Sequence, residues 1–93
     1  MTEINFTGQN ITVTDAIREF TQQKFTKIER HFENIHAVDI IFNVEKLRQI
    51  AKATVQVDGK PTIHATAESD DLYVAIDQLT NKLESQLRSQ AEK

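Results

Sequence analysis

The sequence predicts an α+β domain of two layers and order β-α-β-β-β-α, in which a four-stranded mixed sheet carries two helices on one face. Three observations lead there. Leu72, Ile76, Leu79, Leu83 and Leu87 recur at steps of four, three, four and four, the spacing of one helical stripe. Residues 38–45, 51–57 and 63–67 alternate apolar with polar, as half-buried strands do. Between residues 14 and 34 the apolar spacing again lengthens to that of a helix.

Taken in order, residues 3–7 (EINFT) place Ile4 and Phe6 on one side and Glu3, Asn5 and Thr7 on the other, a first strand. Gly8-Gln9-Asn10 turns the chain, and Thr14 before Asp15 opens a helix of about five turns reaching Asn34. Ile17, Phe20, Thr21, Lys24, Ile28 and Phe32 form its inner side. Val38, Ile40, Phe42 and Val44 face inward on the second strand, and Ala51, Ala53, Val55 and Val57 on the third, with a polar turn around residues 46–48. Asp58-Gly59-Lys60-Pro61 is a turn, because Gly accepts positive φ and Pro starts the adjoining strand. Ile63, Ala65 and Ala67 face inward on the fourth strand, with His64 and Thr66 outward. Ser69, Asp70 and Asp71 then supply acceptors and negative charge at the start of the last helix. The small inward residues of strands three and four let a helix approach closely there. The outward face, with Glu3, Asp39, Glu45, Lys52 and Glu68, presents no aromatic ring on which a base could stack.

Ninety-three residues with two Gly, one Pro and no low-complexity tract make a single domain spanning 1–93. The absence of cysteine excludes disulfides and thiolate metal sites. No apolar run approaches the roughly 20 residues that span a bilayer, and the N-terminus has no basic-then-apolar signal, so a cytoplasmic protein is expected. His31, His36 and His64 lack metal-ligand spacing, and no nucleophile elbow, HExxH run or glycine-rich phosphate loop occurs. Asp70 and Asp71 are adjacent, hence on different sides of a helix, and capping accounts for them. Neither catalysis nor a cofactor is expected.

A net charge of -3 argues against a nucleic-acid partner unless the charges separate by face. They do so on the first helix. Lys24, Lys27, Arg30 and His31 lie along one flank, and Asp15, Glu19, Glu29 and Glu33 along the other, with Arg18 breaking the pattern. On the last helix Lys82 and Lys93 share one flank, whereas Asp77, Glu84, Glu92 and Arg88 share another. Two readings stand at this point: solvated helix faces with i,i+4 pairs, or a positive strip that meets phosphates. Lys24, between Phe20 and Ile28, is either a lysine snorkelling at the layer edge or one that faces a ligand.

INFTG, VTDAIREF with KFTKIERHF, VDIIFNVEK, ATVQV and IHATAESDDLYVAIDQLTNKLESQL together cover nearly the whole chain. They resemble the short ribosome hibernation promoting factors, of the family that includes the ribosome-associated inhibitor and the sigma-54 modulation proteins. The last block is the most specific, since it joins cap, tyrosine and lysine at fixed offsets. The resemblance implies a non-catalytic protein that binds the small ribosomal subunit near the decoding region and blocks mRNA and tRNA during stationary phase or stress. It implies that the chain has no C-terminal dimerisation domain, and that ribosome dimerisation involves a separate ribosome modulation factor. It places rRNA contacts on Lys24, Lys27, Arg30 and Lys82, with His31 on the same flank and Arg88 as a partial substitute. Ser85 and Ser89 stand where the family carries an arginine and a lysine, which predicts weaker binding and a flatter salt dependence. Residues 14–92 also follow the α-β-β-β-α order of double-stranded-RNA-binding domains, but Asp70 and Asp71 occupy the place of the lysine cluster those domains use. A third reading is a protein-interaction domain that uses an open strand edge.

Overall fold

Alternation sets the sheet, and the computed structural model, which describes residues 3–32 and 34–91, has the expected order. β1 (Glu3–Gln9) leads to α1 (Asp15–His31), then β2 (Ile35–Glu45), β3 (Arg48–Val57), β4 (Ile63–Ser69) and α2 (Leu72–Ala91). The sheet runs β1-β2-β3-β4, with β1 parallel to β2 and the other pairs antiparallel. β1 and β4 are therefore the edges. The fold is the two-layer α+β arrangement that the sequence predicts.

Pairing aligns the inward residues into rows across the sheet. Ile40 stands opposite Ala53 and Ala53 opposite Ala65, while Phe42 stands opposite Ala51 and Ala51 opposite Ala67. The large side chains thus lie on β2 and the methyl groups on β3 and β4. α2 rests on β3 and β4, where the alanines leave room for it. Leu72, Ala75, Ile76, Leu79, Leu83 and Leu87 are all buried there. A fully buried leucine of this kind removes enough apolar surface from water to stabilise the fold by about 1.5–3 kcal/mol.

Several element boundaries differ from their expected places, β2 and β3 each starting three residues earlier, at Ile35 and Arg48. β1 continues to Gln9, paired with Asn43, and the left-handed residue is Asn10 at φ 60°. Gly8 lies within the strand, where a Cβ would collide with the Ile11 carbonyl oxygen. α1 starts as predicted, with the Ile17 N–H donating to Thr14 Oγ1, but ends at His31 because Phe32 turns to extended backbone and packs against the core. At α2 the cap is Asp71, whose Oδ1 accepts from the Tyr73 N–H at 2.9 Å. Ser69 closes β4 and accepts from the Asp71 N–H, so it braces the cap.

The face that α1 buries is also rotated from the expected one. Ile17, Thr21, Phe25 and Ile28 are buried, and Phe25 is wholly inaccessible, whereas Phe20 and Lys24 stand at the rim. Thr21 tolerates burial because its hydroxyl donates to the Ile17 carbonyl at 2.8 Å. α1 also lies against α2, and that contact builds the candidate site.

Candidate nucleic-acid interface

Phe20, Lys24, Lys27 and His31 follow one another at steps of four, three and four, so α1 sets them along a single flank, of which Phe20 and Lys24 meet α2. On α2, Tyr73 and Asp77 are likewise one turn apart. The two helices meet in matching rungs. The Phe20 and Tyr73 rings pack edge to face with centroids 5.0 Å apart, and Lys24 Nζ lies 2.7 Å from Asp77 Oδ1. Both rungs advance four residues on each helix, so α1 and α2 run in the same direction.

Lys24 is therefore neither a plain snorkelling residue nor a free cation. Its ammonium also lies 5.5 Å from the centre of the Phe20 ring. Its side chain is 32% exposed and that of Asp77 52%, so water screens the pair and it contributes at most about 1 kcal/mol. Lys27 and Arg30 have no ion pair among the described residues and are exposed. His31 ends the helix with its ring near that of Phe32.

α2 holds its cations differently. Lys82 projects from the flank opposite Tyr73, toward the open edge of β4, and its Nζ donates to the Thr66 carbonyl at 2.7 Å. One turn later Gln86 donates to the His64 carbonyl at 3.1 Å. Arg88 pairs with Glu84 at 3.2 Å on the flank that includes Asp77. The structure brings Lys24, Lys27 and His31 together, with Arg30 just beyond them, and does not bring Lys82 to the same ridge. Glu33, Glu92 and Lys93, used in sorting charges by face, lie outside the described residues.

Sequence reasoning missed Asp77 and Tyr73 as partners across the helix seam. The available signal was that Phe20/Lys24 and Tyr73/Asp77 repeat one spacing on two helices that had to touch. The open strand edges that the protein-interaction reading would use are those of β1 and β4, since β2 and β3 are central. Among the described residues there is no cluster of three or more His, Cys, Asp or Glu able to hold a metal, and no helix is long and apolar enough to cross a membrane.

A family model described as sigma 54 modulation protein / S30EA ribosomal protein matches residues 4–93. This chain belongs to that family. Within it, the chain is 45% identical to the ribosome hibernation promoting factor of Salmonella typhimurium over 98% of its own length and 95% of that protein's. It is 43% identical to the protein of the same name from Azotobacter vinelandii, over 98% and 84% of the two lengths. Among solved structures, a ribosomal subunit interface protein from Coxiella burnetii superposes with a TM-score of 0.92 at 41% identity, each chain covered completely. The N-terminal domain of Thermus thermophilus Protein Y superposes at 0.85 with 26% identity, covering 96% of this family member and 98% of that chain. The resemblance stated from the sequence motifs is thus shown, and the β-α-β-β-β-α fold with it.

Proposed function

We propose that this protein is a ribosome hibernation factor that docks on the small ribosomal subunit near the decoding region and excludes mRNA and tRNA by occupying their channel in stationary phase or stress. The observation that carries the reading is full-length likeness to proteins named ribosome hibernation promoting factor. The geometry supplies a surface that suits it. A chain of net charge -3 gathers Lys24, Lys27 and His31 on one flank of α1, with Arg30 just beyond, where they meet the phosphate backbone of rRNA. Lys82 and Arg88 are peripheral contacts, since each must exchange an internal partner for a phosphate. No bond is made or broken; the mechanism is steric exclusion. A separate ribosome modulation factor completes ribosome dimerisation, and the site of action is the cytoplasm.

The double-stranded-RNA reading is weaker, because α2 begins on the exposed carboxylates Asp70 and Asp71, which repel a phosphate approaching that end. The strand-edge reading is weaker as well, since Lys82 and Gln86 already occupy two carbonyls of the β4 edge. Sedimentation with purified small subunits at moderate salt is the test. Co-migration is expected, and its absence, with and without ribosome modulation factor, rejects the proposal.

A further inference from the structure

We infer that the seam between α1 and α2 holds a site for one unpaired nucleobase of single-stranded RNA, packed against the Phe20–Tyr73 pair, with Gln23 at its polar edge and Lys27 on its phosphate. This rests on the RNA-docking reading above and adds to it a base contact, where the cationic flank alone offers phosphate contacts. The sheet has no outward aromatic ring, so a stacking platform has to lie on the helical layer.

Four observations converge on the seam. Beside the seam, on the α1 side, a notch of ≈ 240 Å³ is lined by Phe20, Gln23, Lys24 and Lys27, and Phe20 carries it to the Tyr73 ring. Tyr73 is 42% exposed, one of three large apolar side chains so placed among the described residues, and its ring meets Phe20 at 84°. An edge-to-face pair leaves ring surface open to a third planar group. Gln23 offers both a donor and an acceptor, which suits the edge of any base, and two lysines at the rim suit the anion attached to it. An apolar side chain of a partner protein would gain nothing from those three polar groups, so a nucleotide is the better occupant.

Stacking and charge pairing respond differently to salt, and this separates the site from a purely structural role of Tyr73. Binding to purified small subunits is measured over a series of salt concentrations. Tyr73→Leu is expected to weaken binding about tenfold, with the slope of log K against log salt unchanged, because base–aromatic stacking releases no counterions. Tyr73→Trp restores affinity, whereas Lys27→Gln lowers the slope. If Tyr73→Leu binds as the wild type does, or flattens the slope as a lysine variant does, the base site is wrong. Melting temperature verifies that the variants fold, and Gln23→Ala, at an exposed position, is a second variant expected to lose a smaller factor.

The chain has no tryptophan, so Tyr73→Trp also creates a single fluorophore that can be excited beyond the absorption of RNA. A single-stranded RNA hexamer at low salt is expected to quench it. Absence of quenching overturns the base site, even if the wild type fails to bind subunits and the docking reading falls separately. Photocrosslinking on the small subunit is expected to join the peptide containing Tyr73 to a nucleotide. A crosslink to a ribosomal protein instead counts against the site.

Discussion

α1 and α2 both carry basic side chains on exposed surface, yet they hold them in different states. On α1, Lys27 and Arg30 have no ion pair among the described residues, and Lys24 is held by a half-exposed carboxylate and the Phe20 ring. On α2, Lys82 is fastened to a strand carbonyl and Arg88 to Glu84. A cation already donating to its own fold must surrender that bond to reach a phosphate. An unpaired cation surrenders only water. Exposure and availability are therefore different properties, and on the proposed function it is α1 that presents charge to RNA.

The largest expected effect tests that contrast directly. Lys24→Glu combined with Lys27→Glu should abolish co-sedimentation with small subunits while the melting temperature stays close to that of the wild type, because neither side chain is in the core. Should Lys82→Gln abolish binding instead, the roles of the two helices are reversed.

Asp77→Asn sharpens the comparison from the other side, since it frees Lys24 from its carboxylate without changing shape. Binding should tighten by up to about fivefold, the limit for an exposed pair worth at most about 1 kcal/mol, and its salt dependence should steepen. Unchanged affinity at low salt would mean that Lys24 does not meet RNA.

Lys82→Ala should act mainly on the fold. Loss of the bond to Thr66 is expected to reduce unfolding free energy by about 0.5–1.5 kcal/mol in chemical denaturation, with a smaller effect on subunit binding than Lys27→Gln. Combined with Gln86→Ala it bares two carbonyls of an edge strand, and concentration-dependent association in sedimentation velocity should follow.

The smallest effect comes from a cation on neither helix. Lys46 has φ 56° as the first residue of the two-residue β2–β3 turn, a conformation that costs a non-glycine residue stability. Lys46→Gly should stabilise the protein by about 0.5 kcal/mol and leave subunit binding unchanged. Weaker binding would extend the interface to the hairpin tip, where Leu47 is 88% exposed.

Much of this architecture is legible in local pattern. Inward Val38, Ile40 and Phe42, inward Ala51, Ala53 and Val55, and the Gly59 turn at φ 72° all follow from a period of two and from turn chemistry. The leucine repeat of α2 follows from a period of 3.6. α1 was harder to place. Its apolar residues allow two neighbouring stripes that share Ile17, Thr21 and Ile28, one adding Phe20 and Lys24, the other Phe25. Choosing between them requires the position of the second helix, which draws Phe20 against Tyr73 and turns Phe25 inward.

By itself, then, the order of residues determined which segments are strands and helices, which side of each strand is buried, and which flank of α1 is basic, because these depend on neighbours within one or two turns of the chain. Only the tertiary structure decided the partners of those charges. Lys24 and Asp77 are 53 residues apart, and Lys82 and Thr66 are 16 apart across a strand-to-helix turn. A charged side chain settles on whichever acceptor packing brings within about 3 Å, and the packing of two helices over a graded floor of large and small residues is a property of the assembled layers.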